Sequence, residues 1–279
     1  MIKKLTTAVF VGKCLNLLSA IWPSKAGMIS FQLFCTPRKG RKLTEEDEAF
    51  LATASQKRIS FRDFDIQSYV WEGGEKRILL AHGWESNTAR WKFLLPYLQK
   101  ENFTIIALDA PAHGKSGSKQ VEGIMYAEAV SLVAKTYKPD YILGHSFGGM
   151  AAIYYAAELE TIDIDKMIIM GTPSHLATIM GYFNEILALD EETQRATASA
   201  FTASLGYPIE YFSAEYFIQK VKLPGLLIHD VEDEVAPIKE ARAIHENWEG
   251  ARFFETKGLG HSLQGKRVYE KIVAELKNA

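Results

Sequence analysis

A chain of 279 residues, 47% of them hydrophobic and 24% charged, can fill one large α/β domain with a modest insertion, or two small domains. Its formal net charge of -2 gives no electrostatic reason to bind nucleic acid, so no nucleic-acid partner is expected. Its two cysteines, Cys14 and Cys35, form no disulfide framework and lack metal-ligand spacing, so two idle thiols are expected and no metal site.

The chain opens with the basic Met1-Ile2-Lys3-Lys4 and runs largely apolar from Leu5 to Ala20. Lys13 and Asn16 interrupt that run, which is too short and too polar to span a membrane. Leu5, Val9, Cys14, Leu17, Leu18 and Ile21 fall roughly on one helical face. The expectation is an amphipathic helix that packs on the body or covers a substrate entrance, in a cytoplasmic protein. The alternatives are contact of residues 1–25 with a membrane surface and a cleaved export signal. Pro23 to Lys42 reads as a linker whose patch, Phe31, Leu33 and Phe34, docks on the domain. Thr44 is placed to cap a helix with acids in its first turn, ending near Ser55.

Arg58 to Phe61 and Asp65 to Trp71 alternate like half-buried strands, with Gly73-Gly74 turning into the apolar strand Lys76–Ala81. From there strands and helices alternate. A helix over Arg90–Gln99 precedes the strand Thr104–Leu108. A helix over Val121–Tyr137 precedes the strand Tyr141–Leu143. A third helix, from Met150 to Leu159, precedes the strand Lys166–Met170. After Lys222 come the strand Gly225–His229, a helix from Ile238 to Trp248, the strand Ala251–Glu255 and a last helix to Lys277. Apolar strands separated by helices predict a mostly parallel sheet covered on both faces.

Chemistry concentrates at strand ends. Gly144-His145-Ser146-Phe147-Gly148 follows an apolar strand and opens a helix, the setting in which Gly-x-Ser-x-Gly forms a nucleophile elbow. Acyl transfer turns a carbonyl oxygen into an oxyanion, which needs two fixed donors. The backbone N–H of Phe147 is one candidate and that of Trp84, in His82-Gly83-Trp84, is the other. Asp233 lies just past the strand Gly225–His229 and His261 just past the next, giving the order Ser, acid, His. A histidine can take the serine proton, and a carboxylate can hold the imidazole in the useful tautomer. Asp230 is the rival for the acid. His82, His145 and His229 read as supports at strand ends, and Leu108 to Gly117 as a structural loop.

These motifs together resemble the α/β-hydrolase superfamily, over roughly Arg58 to Lys277. The resemblance implies a mostly parallel eight-stranded sheet whose first pairing is antiparallel, with helices on both faces. It also implies a Ser146–Asp233–His261 triad with no cofactor. Ala112 departs from the glycine usual between Pro111 and His113, and Asp230 from the glycine that often follows the seventh strand. Serine at the elbow speaks against the dehalogenase and epoxide hydrolase branches, which attack with a carboxylate. On this reading residues 1–55 are a helical extension, 56–171 and 223–279 the core, and 172–222 a small helical lid. The stripe Leu176, Ile179, Met180, Phe183, Ile186 and Leu187 belongs to that lid. The expected activity is hydrolysis of small-molecule carboxylic esters or thioesters with an apolar part, through an acyl-enzyme on Ser146. Lactone or C–C bond hydrolysis, perhydrolysis and a non-catalytic receptor are the alternatives, and the oligomeric state is open.

Overall fold

A computed structural model describes residues 2–40, 42–159 and 162–277; the side chains of residues 2–6, Leu5 of the expected stripe among them, lie outside the description. The chain divides into two compact units, Met1–Thr36 with His175–Ser213, and Pro37–Ser174 with Ala214–Ala279.

The first unit contains α1 (Ile2–Ser19), α2 (Pro23–Phe34), α7 (Leu176–Leu187) and α8 (Glu191–Leu205). Gly12 lets α1 lie directly on α7, since a Cβ there would sit 1.7 Å from the carbonyl oxygen of Leu187. Leu15, Leu187 and Leu189 form the small core beside it. The Asn16 amide ties this junction, donating to the carbonyl of Ala188 and accepting from the N–H of Asp190. Asp190 in turn caps α8 by accepting from the N–H of Thr193.

The segment expected to be a linker is helical over Pro23–Phe34. Pro23 sits at the first helical position, where its missing N–H costs nothing. Gly27 serves close approach to Ala196 of α8, and Phe31 packs edge-on against Phe201 with ring centroids 5.6 Å apart. The expected apolar stripe of α1 also needs correction. Gly12, Leu15 and Ser19 face the packing, while Phe10, Cys14, Leu17 and Ile21 face outward.

The second unit holds one eight-stranded sheet. Its strands are β1 (Ser55–Phe61), β2 (Phe64–Trp71), β3 (Arg77–Ala81), β4 (Thr104–Leu108), β5 (Tyr141–His145), β6 (Lys166–Met170), β7 (Gly225–Asp230) and β8 (Arg252–Thr256). The order is β1-β2-β4-β3-β5-β6-β7-β8. β1 with β2 and β2 with β4 are antiparallel, and every later pairing is parallel. β4, β5, β6 and β7 are buried along their whole length because helices cover both faces. α3 (Glu45–Leu51), α4 (Leu95–Lys100) and α11 (Lys266–Lys277) form one cover, with Leu98, Val268, Ile272 and Leu276 packed on Ile78, Leu80, Leu143 and Ile228. α5 (Gly123–Tyr137), α6 (Phe147–Glu158), α9 (Ala214–Ile218) and α10 (Ile238–Glu246) are neighbours in the other.

Thr44 caps α3 through a reciprocal box, accepting from Asp47 N–H while the Asp47 carboxylate accepts from Thr44 N–H, each at 3.1 Å. The helix expected from Arg90 to Gln99 is broken into a 3₁₀ turn over Thr88–Phe93 and α4, because Pro96 removes a donor near the start of α4. Strand carboxyl ends thus gather on one rim of the sheet, where open α/β sheets put their ligands.

Candidate active site

Ser146 stands where β5 turns into α6, with φ 53° and ψ -119°. That backbone is strained for a residue with a side chain, and its surroundings impose it. The Ser146 N–H donates to the carbonyl of Met170, and its own carbonyl accepts from Gly149 and Met150. The flanking glycines make the turn sterically feasible: a Cβ at Gly148 would lie 2.3 Å from the carbonyl oxygen of Ala81, and one at Gly144 2.6 Å from that of Gly148. The hydroxyl therefore stands at the mouth of the parallel strands with the first turn of α6 behind it.

His261 lies in a 3₁₀ turn, Gly260–Ser262, after β8. Its Nε2 is 2.9 Å from Ser146 Oγ and its Nδ1 is 2.8 Å from Asp233 Oδ2. Asp233 itself is buried in the loop after β7. Burial works to raise its pKa, but the hydrogen bonds from His261 and from the N–H groups of Ala236 and Val235 outweigh it and hold the carboxyl below the usual range. A carboxylate acceptor on Nδ1 places the imidazole proton there, which leaves Nε2 free to accept from the serine. Serine, imidazole and carboxylate thus form one continuous hydrogen-bonded line.

The other sequence candidates fall close by. The chain after β3 runs against the serine, since a Cβ at Gly83 would lie 3.0 Å from Ser146 Cβ and 2.8 Å from His145 Nδ1. Trp84 follows, exposed, its ring edge-on to Phe147 at 5.7 Å. Among the described residues, no acceptor takes the N–H of Trp84 or of Phe147. Asp230 does not reach the His261 ring. Its carboxylate accepts from Glu232 N–H, from the Thr256 hydroxyl and from Leu259 N–H, so it ties the loop carrying Asp233 to the loop carrying His261.

The three support histidines are buried and neutral. His145 Nε2 donates to the carbonyl of His261 at 2.8 Å, and its buried Nδ1 finds no partner among the described residues. His82 donates from Nδ1 to the carbonyl of Gly83 and accepts on Nε2 from Ala110 N–H. His229 donates to the carbonyl of Ala236. Desolvation holds each of them below the ordinary imidazole pKa. His113, in the loop after β4, accepts from Glu85 N–H.

Sequence reasoning passed over Arg90, read there only as the start of a helix. Its guanidinium donates to the carbonyl of Ser262 at 3.0 Å and lies over the Trp91 ring. Burial pushes its pKa down to about 10. Two successive carbonyls, those of His261 and Ser262, are therefore each held by a side chain rooted in β5 or in the β3–β4 connection. No pattern in the sequence announces this, because the partners of Arg90 and His145 are more than a hundred residues away.

A model of the alpha/beta hydrolase fold matches residues 76–206. Over that stretch the chain is similar to the α/β-hydrolase superfamily, and its eight-stranded sheet has that fold. The match spans the elbow and the His82-Gly83-Trp84 turn and stops short of Asp233 and His261. Likeness over a longer part of the chain is seen in two relatives. The chain is 23% identical over 251 residues to the AB hydrolase superfamily protein YisY of Bacillus subtilis, covering 74% of this chain and 93% of that one. It is 24% identical over 226 residues to a pimeloyl-[acyl-carrier protein] methyl ester esterase of Neisseria meningitidis, covering 67% of this chain and 71% of the relative. Solved folds of the same kind include a meta-cleavage product hydrolase from Pseudomonas fluorescens (TM-score 0.61, 19% identity, 81% of this chain and 99% of that one). The esterase from Exiguobacterium antarcticum is another (TM-score 0.57, 18% identity, 77% and 95%). These structures share the hydrolase fold with this chain.

Proposed function

We propose that this α/β-hydrolase cleaves carboxylic esters or thioesters through an acyl-enzyme on Ser146. The observation that carries the reading is the His261 imidazole held between Ser146 Oγ at 2.9 Å and Asp233 Oδ2 at 2.8 Å. His261 takes the serine proton as Oγ attacks the carbonyl carbon, then returns it to the leaving oxygen or sulfur as the C–O or C–S bond breaks. Asp233 keeps Nδ1 protonated and stabilises the transient imidazolium. The N–H groups of Trp84 and Phe147 receive the oxyanion. Water then repeats the sequence to release the acid and regenerate Ser146. None of these steps calls for a cofactor.

The esterase among the relatives acts on an acyl-carrier-protein ester, which supports an acyl ester as the substrate class and a small-molecule or carrier-linked form of it. α7 and α8, inserted between β6 and β7, are read from that place in the chain as this hydrolase's lid.

The test is Ser146→Ala assayed on p-nitrophenyl esters and with a fluorophosphonate probe. We expect turnover to fall by about 10⁴-fold or more, labelling to vanish and the melting curve to stay in place. Retained turnover would refute the assignment. Labelling of the native chain without hydrolysis of any ester or thioester would point to lactone or C–C bond chemistry on the same residues.

A further inference from the structure

α1 is apolar on two opposite faces, and only one of them is packed. Gly12 and Leu15 face α7 and Ser19 is buried on the same side, while Phe10, Leu17 and Ile21 point away, 67%, 72% and 85% exposed, with Trp22 following at 56%. A row of exposed large apolar side chains on one helix face marks a surface that meets a second apolar phase. The charge of the segment says which phase. α1 and α2 carry Lys3, Lys4, Lys13 and Lys25, and the first acid of the chain is Glu45. Lys13 and Lys25 are exposed beside the apolar face, and the Lys25 ammonium lies over the Trp22 ring at 5.2 Å. The acids of this unit, Glu185, Asp190, Glu191, Glu192 and Glu210, all lie in its second segment, and Asp190 is held by Asn16, off the Phe10–Leu17 face of α1. Large apolar and aromatic side chains flanked by lysines, with no acid between them, are the make-up of a helix that lies in the headgroup region of an anionic bilayer. No helix among the described residues is long and apolar enough to cross a membrane, so the contact is lateral.

We propose that the outer face of α1, from Phe10 to Trp22, docks this protein on the surface of an anionic lipid bilayer. Phe10, Leu17, Ile21 and Trp22 enter the headgroup layer, and Lys13 and Lys25 meet lipid phosphates. The proposal is independent of the chemistry at Ser146.

The test is co-sedimentation of the full chain with vesicles of phosphatidylcholine plus phosphatidylglycerol, and with phosphatidylcholine alone, at low and high salt. Binding is expected on the anionic vesicles, weakened by salt. The double variant Leu17→Glu, Ile21→Glu should bind at least tenfold more weakly, with an unchanged circular dichroism melt, because both positions are solvent-facing. Lys13→Glu with Lys25→Glu, which leaves the apolar face intact, should weaken binding several-fold. No sedimentation with anionic vesicles overturns the proposal. So does equal binding by the native chain and both variants, which would place the contact elsewhere. A native dimer that the Leu17, Ile21 variant turns into a monomer, with no vesicle binding, overturns it in favour of a second copy of the chain.

Discussion

At single residues, the candidate site shows why substitution next to a motif matters as much as the motif. Asp230 stands where glycine is often found in the α/β-hydrolase superfamily that the chain resembles, and it uses the side chain to join two loops. Burial would raise its pKa, but donors from Leu259, Thr256 and Glu232 keep it ionised. Asp230→Gly frees the Leu259–His261 turn from the end of β7. On the proposed mechanism kcat/KM should fall by about 10- to 100-fold through a misplaced imidazole, against about 10⁴-fold for Asp233→Asn. Steady-state rates on one ester separate the two, and an undiminished rate in Asp230→Gly would remove its positioning role. Ala112 is the converse case. It is buried with φ 63°, a conformation that favours glycine, and its N–H donates to the carbonyl of Gly117. Ala112→Gly should therefore stabilise the protein by about 1 kcal/mol, seen as a raised unfolding midpoint. A lowered midpoint would mean that its methyl group packs better than its backbone suffers.

At the level of elements, β6 and α11 are joined by a buried ion pair. Lys166 Nζ donates to the carbonyl and to the carboxylate of Glu275, each at 3.0 Å, and both side chains are nearly fully buried. Glu275→Ala strands the ammonium and should cost about 3–5 kcal/mol, measurable by denaturant unfolding; a loss under 1 kcal/mol would show that water reaches Lys166. The elements themselves were legible where the signal is local. Ser146, Asp233 and His261 each sit just past a strand that ends in turn residues, so their places could be named before any coordinates. Thr44 was legible because a cap reads only three residues ahead. What escaped depends on distant partners. Gly27 looks like a helix breaker until Ala196 is found against it. The two apolar faces of α1 look alike in sequence, and only the position of Gly12 against Leu187 tells which one packs. Arg90 and His145 acquire meaning only from carbonyls at the far end of the chain.

For the whole molecule, the buried neutral histidines set the response to acid. The folded pKa of His82, His145 and His229 lies below the unfolded value of 6.5 in each case. As pH falls through about 6.5 the unfolded chain takes up protons that the folded chain refuses. Their stabilising effect is full above that value and is lost below it, by up to about 1.4 kcal/mol per pH unit for each histidine. Asp109 and Glu122 work in the opposite sense, because burial pushes both carboxyls up, and protonation relieves them as acid is added. The histidine slope begins above the ordinary carboxylate range. Unfolding free energy should thus decline between pH 7 and about 5.5, and a flat profile would show that these imidazoles gain a proton at little cost in the folded state.

The unit built from Met1–Thr36 and His175–Ser213 also has a consequence in time. On the ribosome α1 and α2 emerge before their partners α7 and α8, which follow roughly 10–30 s later at ordinary translation rates. For that interval Leu15, Phe31 and the faces around Gly12 and Gly27 have nothing of their own chain to cover them. These two greasy helices await a partner encoded far downstream, and chaperones or a lipid surface would meet them before α7 and α8 do.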